Sequence, residues 1–191
     1  MNEIAFWGLT WGFIGVQLVG FVGLVLNVSS YQANTNKRIV TIQIFGCMVW
    51  FIHFLLLGQF SAGAYTGAAL NAAGLLRNIV FAMRPRKWAA HPAWLYAFCL
   101  GYILCGLLTW SGPVSLLPMA AMQFGTVSLY VLNPKLTRRL GSACSSGWLI
   151  FNALTRSVPG VVCEIVTLIS IAIAMAKFDR KRKQTDEEAL S

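Results

Sequence analysis

Seven apolar runs, each close to the length that crosses a bilayer, follow one another along the chain with almost no charge inside them. About twenty helical residues span the hydrocarbon core, and these runs are too uniformly apolar for the alternating strands of a barrel. A backbone in lipid must satisfy its own hydrogen bonds, so the pattern predicts an all-α membrane protein with seven transmembrane helices, the sixth being the shortest. The runs lie at residues 10–31, 39–58, 62–83, 94–111, 113–133, 142–157 and 158–177.

The composition supports a membrane protein, since 57% of the 191 residues are hydrophobic and only 11% are charged. The opening stretch MNEIAFWG has no basic residue ahead of an apolar core, so we expect the first helix to be retained rather than cleaved as a signal peptide. The five cysteines lack C-x-x-C spacing and are typical of packing residues. Because the usual catalytic, phosphate-binding and metal-binding motifs are missing, we expect neither an enzyme nor a bound metal or cofactor.

Positive charges fall after every second run. Thirteen of the fifteen Lys and Arg residues follow the first, third, fifth and seventh runs. Because short cytoplasmic loops carry the excess of Lys and Arg, this spacing predicts a multi-pass protein of the bacterial inner membrane, with the N-terminus periplasmic and the C-terminus cytoplasmic. Topology therefore explains the +9 net charge better than nucleic-acid binding does. We expect the tail, residues 178–191, to be disordered, which is compatible with contact to anionic lipid headgroups.

One short motif occurs twice. Residues 28–34 read VSSYQAN and residues 127–133 read VSLYVLN, 99 positions further on. Two more pairs have nearly the same offset, Trp50 with Trp148 and Gly63 with Gly160. A nearly constant offset is typical of an internal duplication.

The duplication predicts a division of the chain. The first triple-helix repeat is residues 1–83, a basic loop and linker helix follow at 84–111, and the second repeat is 112–177. Because the linker is a single helix, the first and fifth helices run in the same direction. The halves are then parallel repeats related by an axis along the membrane normal, as in one class of transporter.

These features resemble the PQ-loop superfamily, which contains the SWEET sugar uniporters and the PnuC vitamin-precursor transporters. The shared features are a polar YQ that closes the first helix and an Asn deep in the third. The resemblance implies a SWEET-like 3+1+3 arrangement and alternating-access transport of a small polar solute, sugar-like or vitamin-like. The proline that precedes the glutamine in PQ-loop proteins is missing at Tyr31-Gln32 and at Tyr130-Val131.

Four segments resemble a bacterial inner-membrane family, YgjV, more closely. They are HFLLLGQFSAGA at 53–64, LNAAGLLRN at 70–78, LLP at 116–118 and VVCEI at 161–165. This similarity spans nearly the whole chain and implies no particular activity.

Polar and bulky side chains at mid-depth are candidates for substrate binding. Polar groups are costly in a bilayer, so Asn71 in the third run either joins neighbouring helices or contacts a substrate, as the Asn of SWEET transporters implies. Trp50 and Trp148 lie away from the interfaces where Trp gathers. They either pack in the core or, as we favour, present two flat faces to a solute near the twofold axis, with Asn152 beside them.

Glu164 is the only acidic residue clearly inside a run, about 9 Å from the outer end of the seventh helix. An ion pair or hydrogen bond with His53 or Arg156, at similar depth, is the structural explanation. The functional alternative is proton uptake during transport, assisted by His53. Arg77, near the cytoplasmic end of the third run, is expected to reach the headgroups, with a gate or anion-binding role as the alternative.

Ser29, Tyr31, Ser128 and Tyr130 end the first and fifth runs. Either they cap these helices at the interface, or they form a symmetric inner gate in which the two tyrosines meet across the axis. Together the patterns predict a facilitator or proton-coupled carrier, with a non-transporting receptor or scaffold and a channel as alternatives. The expected partners are the bilayer and the solute, and the sequence leaves open whether copies assemble into a homo-oligomer.

Overall fold

Within the part of the chain that the structure describes, seven α-helices follow one another in the order that the apolar runs predict, and a short pair of strands precedes them. The computed structural model describes residues 4–6, 9–31, 36–131 and 133–179, so most of the expected disordered tail lies outside the described residues. The elements are β1 Ile4–Phe6, β2 Leu9–Thr10, α1 Trp11–Tyr31, α2 Asn36–Leu57, α3 Ala64–Ala82, α4 Ala93–Leu108, α5 Leu116–Tyr130, α6 Pro134–Leu154 and α7 Val158–Ala174. The helical class is confirmed. The antiparallel pairing of β1 with β2 is an addition that the apolar pattern did not predict.

The sixth helix is longer than its apolar run. α6 begins at Pro134 rather than at residue 142 and has 21 residues, so the prediction that the sixth helix is the shortest is wrong. The Asn133 side chain caps it by accepting hydrogen bonds from the backbone N–H groups of Lys135 and Leu136, and proline suits the first helical position. Basic residues in the first two turns therefore end the apolar run without ending the helix.

Two helical stretches are long and apolar enough to cross a bilayer by length and composition, Trp11–Ser29 and Val158–Lys177. Two further apolar stretches, Thr41–Leu57 and Ala93–Leu108, are shorter. Large apolar side chains also face outward around the bundle, as lipid contact requires. Those of Leu18, Leu76, Leu108 and Ile173 are all at least 60% exposed.

Six helices form a closed ring in the order α1, α2, α3, α5, α6 and α7, and α4 lies outside it against α3 and α5. Helices α1, α3, α5 and α7 all begin at one end of the bundle, the upper end, and finish at the lower end. The ring has two seams, the contact of α1 with α7 and the contact of α3 with α5, and hydrogen bonds at each show that the paired helices begin at the same end. Gln17 of α1 donates to the Arg156 carbonyl and accepts from the N–H of Val158, where α7 begins. Thr66 of α3 bonds Ser115, just before α5.

His53 joins three helices at the upper end. Its side chain is fully buried, with Nδ1 2.9 Å from the Val16 carbonyl oxygen and Nε2 2.8 Å from the Ser157 hydroxyl. A carbonyl oxygen can only accept, so Nδ1 donates, and in the neutral ring Nε2 accepts from Ser157. The imidazole thereby connects α2 to α1 and to the turn before α7.

Small residues let α3 lie close to its neighbours. A Cβ at Gly67 would lie 2.9 Å from the Phe151 ring and 3.1 Å from the Phe54 ring. A Cβ at Gly74 would lie 3.0 Å from the methyl group of Met122. Close approach of helix backbones is the usual role of glycine in membrane bundles.

We predict that Ser157→Ala lowers the thermal unfolding midpoint of the detergent-solubilised protein. The substitution leaves the buried Nε2 of His53 without its partner, which costs about 1–3 kcal/mol. The matched control is Ser170→Ala, because Ser170 is exposed and bonds only a carbonyl of its own helix. Equal midpoints for the two variants would contradict a structural role for the His53–Ser157 bond.

Candidate functional site

A cavity of about 350 Å³ lies inside the ring of six helices. Every ring helix contributes to its wall, whereas α4 does not. The cavity reaches from Gly160, near the upper end, to Ser128 and Leu129, near the lower end. Leu129 is 51% exposed, so the cavity approaches the surface at the lower end. The polar side chains on its wall are those of Asn27, Asn71, Arg77, Ser128, Ser145, Asn152, Glu164 and Thr167.

Four aromatic rings form a continuous roof on the upper side of the cavity: Trp50, Phe54, Trp148 and Phe151. Phe54 stands between the two indoles, with ring centroids 5.9 Å from Trp50 and 5.8 Å from Trp148. Phe151 lies 5.5 Å from Trp148 and is fully buried. Trp50 and Trp148 both line the cavity. The proposed pair of flat faces with a solute between them is not what the packing gives, because Phe54 occupies that position.

The two asparagines on the wall are bonded differently. The amide of Asn71 donates to the Gly67 carbonyl of its own helix over 2.8 Å, so Asn71 does not join two helices. Asn152 is 2% exposed, and within the described residues no hydrogen-bond partner reaches its Oδ1. A buried carboxamide oxygen without a partner is uncommon in a folded protein and calls for an explanation.

Arg77 points into the bundle rather than to the headgroups. Its side chain is only 8% exposed and lines the cavity, so the expectation that it reaches the lipid surface is wrong. Nη1 donates to the Thr126 hydroxyl over 3.0 Å, while Nε and Nη2 donate to Oδ1 of Asn78. The Tyr102 ring lies 6.0 Å from the guanidinium carbon. Polar partners on α3 and α5 hold the guanidinium inside, which makes reaching the surface unnecessary.

Glu164 lies on the cavity wall, and the Ser145 hydroxyl is the polar group nearest to it that interacts with its carboxyl group. The structure does not bring it together with His53 or Arg156. Both ring nitrogens of His53 are engaged elsewhere, and the Arg156 side chain is exposed. The predicted pairing of Glu164 with one of these residues is therefore wrong, because the imidazole turns toward α1 and the α6–α7 turn.

The residues of the predicted inner gate are not arranged symmetrically. Ser128 is buried on the cavity wall and donates to the Thr137 carbonyl, whereas Ser29 is exposed and does not line the cavity. The centroid of the Tyr130 ring lies 4.6 Å from the guanidinium carbon of Arg84. Nη1 of the same arginine donates to the Leu129 carbonyl. The Tyr31 side chain lies outside the described residues, so the predicted meeting of the tyrosines stays a prediction.

Sequence reasoning did not single out the neutral partners of the two charged side chains. Ser145, Thr126 and Asn78 are small polar residues of a kind found throughout the chain. No spacing signal distinguishes them, because their importance comes from packing between distant helices. Within the described residues, no three His, Cys, Asp or Glu side chains gather as a metal site.

The family comparison covers the whole cavity. A family model named Imp-YgjV, described as a bacterial inner membrane protein, matches residues 14–182. That range contains every residue on the cavity wall. No curated protein matches the chain, and no solved structure matches it.

We predict that Asn152→Leu raises the thermal unfolding midpoint. Leucine has the same branching at Cγ and removes a buried acceptor that has no partner within the described residues, whose burial costs about 1–3 kcal/mol. The control is Asn78→Leu, because the Asn78 carboxamide holds Arg77 and donates to the Cys47 thiol. That variant should lower the midpoint. If Asn152→Leu destabilises the protein as much as Asn78→Leu does, Asn152 is a structural residue rather than one kept for binding.

Proposed function

Because the chain belongs to the YgjV family of bacterial inner membrane proteins, we propose that it transports a small polar solute across that membrane by alternating access. It works as a facilitator or a proton-coupled carrier rather than as an enzyme. The observation that carries the proposal is the cavity inside the ring, whose wall carries the polar side chains of Asn71, Arg77 and Glu164. Polar and charged side chains inside a membrane bundle are typical of a solute pathway.

All seven helices cross the membrane in this proposal, with the lower end in the cytoplasm. The shorter helices, such as α5 with 15 residues, need only reach the interfacial region at one end. Basic residues support the orientation. Arg84, Arg86 and Lys87 follow α3 at the lower end, and Lys135 lies where α6 begins there. The excess of Lys and Arg on cytoplasmic loops then gives a periplasmic N-terminus and a cytoplasmic C-terminus.

Two parallel three-helix repeats make up the ring in the proposal, and α4 links them. Exchanging α1 with α5, α2 with α6 and α3 with α7 leaves the pattern of contacts among the six ring helices unchanged. The contact of α1 with α2 recurs between α5 and α6, and that of α3 with α5 recurs between α7 and α1. A site at the interface of two repeats is the usual location in transporters of this kind.

The cavity also distinguishes the proposal from its alternatives. A receptor or scaffold would fill the axis with apolar side chains, whereas here a cavity lies on the axis and polar side chains line part of its wall. A channel would connect both ends. At the upper end Leu57, Thr155 and Ser157 are at most 1% exposed, and the aromatic roof lies below them. A site that approaches one surface and is closed to the other fits one state of a carrier.

We predict that a charged thiol reagent reaches Cys144 on the cavity wall from the cytoplasmic side only. The test uses a variant that keeps Cys144 as its sole cysteine, in inverted and right-side-out membrane vesicles. The reagent is the membrane-impermeant trimethylammonium-ethyl methanethiosulfonate. Modification in inverted vesicles alone is expected, and protection against a later maleimide label measures it.

The matched control keeps only Cys105, on α4 outside the ring, and should remain unmodified in both vesicle types. Equal modification of Cys144 from both sides would favour a channel. Failure to modify it from either side would mean a dry axis and would favour a scaffold.

A further inference from the structure

Two opposite charges stand apart on the cavity wall, Arg77 on α3 and Glu164 on α7. The polar groups next to each are neutral. Arg77 bonds Thr126 and Asn78, while the Ser145 hydroxyl lies beside Glu164. Within the described residues no ion pair joins either side chain to an opposite charge. Charged side chains inside a membrane bundle without an ion-pair partner are uncommon and indicate a binding site, so this arrangement points to a ligand that carries the complementary charges.

A strip of small neutral residues separates the two charges. A Cβ at Gly125 would lie 3.8 Å from Nη1 of Arg77 and 3.0 Å from Sγ of Cys144. Cys144 is followed in the chain by Ser145, the partner of Glu164. The guanidinium and the carboxylate are thus at opposite ends of this strip. A ligand that reaches both needs its charges several bonds apart.

Arg77 has N–H groups available to bind an anionic group. Three of the five N–H donors of a guanidinium are engaged here, one each on Nε, Nη1 and Nη2, which leaves two. Paired N–H donors of arginine match the two oxygens of a carboxylate. Among the described residues, no other charged side chain lies on the cavity wall, and the aromatic roof offers an apolar surface for a methylene spacer.

We propose that the cavity binds an elongated zwitterion, whose carboxylate pairs with Arg77 and whose ammonium group pairs with Glu164. This inference rests on the function proposed above and gives the solute a chemical class. An uncharged sugar would leave both protein charges uncompensated. A simple anion or cation would compensate one of them and leave the other.

The test measures binding of a matched set of probes to the full-length protein in detergent, by quenching of its tryptophan fluorescence. The probes are glycine, 4-aminobutanoate and 6-aminohexanoate, with hexanoate, hexylamine and glucose as compounds that lack one or both charges. Affinity should rise with the spacing of the charges. We expect 6-aminohexanoate to bind about tenfold more tightly than hexanoate, hexylamine or glycine, the usual effect of one charged hydrogen bond.

Charge-removing variants assign each end of the probe. Glu164→Gln should reduce the affinity for 6-aminohexanoate to that for hexanoate, and Arg77→Gln should reduce it to that for hexylamine. Arg77→Lys should restore part of the loss if the effect is one of charge. The control Arg86→Gln removes an exposed charge outside the cavity and should change nothing. Each variant is compared only if it elutes from size exclusion like the parent protein.

Equal affinity across the series, no binding of 6-aminohexanoate, or tightest binding of glucose would overturn the inference. Uptake into proteoliposomes separates this outcome from failure of the proposed function. Binding of 6-aminohexanoate without its uptake would refute transport and leave the charged site standing. Uptake of labelled glucose that neither Arg77→Gln nor Glu164→Gln alters would refute the zwitterion site and leave transport standing.

Discussion

Buried hydrogen bonds at two seams hold the ring of helices closed, and the cavity exists only because both seams are closed. Gln17 and His53 join α1 to the turn before α7, and Thr66 joins α3 to the start of α5. In a setting without water, each of these polar groups must find a partner within the protein. The bonds therefore specify which helices meet, whereas the apolar side chains around them pack against many neighbours equally well.

The two halves of the proposed repeat differ where the cavity is most polar. At an offset of 98, Phe54 corresponds to Asn152, and at an offset of 97, Gly67 corresponds to Glu164. In the first half these positions serve packing, since the Phe54 ring completes the aromatic roof and Gly67 makes room for it. In the second half the corresponding positions carry a carboxamide and a carboxylate on the cavity wall. In the proposed repeat, the shared helices form the ring, and the differences at a few positions place polar side chains on the cavity wall.

The sequence predicted the helices better than the contacts between them. Apolar length is a local property, so seven helices in order could be read directly, whereas the strand pair before α1 and the start of α6 at Pro134, which is set by capping, were missed. Trp50, Asn71 and Glu164 were singled out because polar or bulky groups at mid-depth are unusual, and all three line one cavity. The predicted partner of Glu164 was wrong, because the direction in which a side chain such as His53 points depends on contacts with distant helices.

Helix α4 braces only one of the two seams. It packs against both α3 and α5 and so straddles their junction, whereas no described helix straddles the junction of α1 with α7. The two halves of the ring are therefore held together along the α3–α5 junction, where α4 packs against both helices. Any movement that widens the interior would begin at the unbraced edge, where the bonds of Gln17 and His53 and the bond from the Asn27 amide to the Cys163 thiol must part.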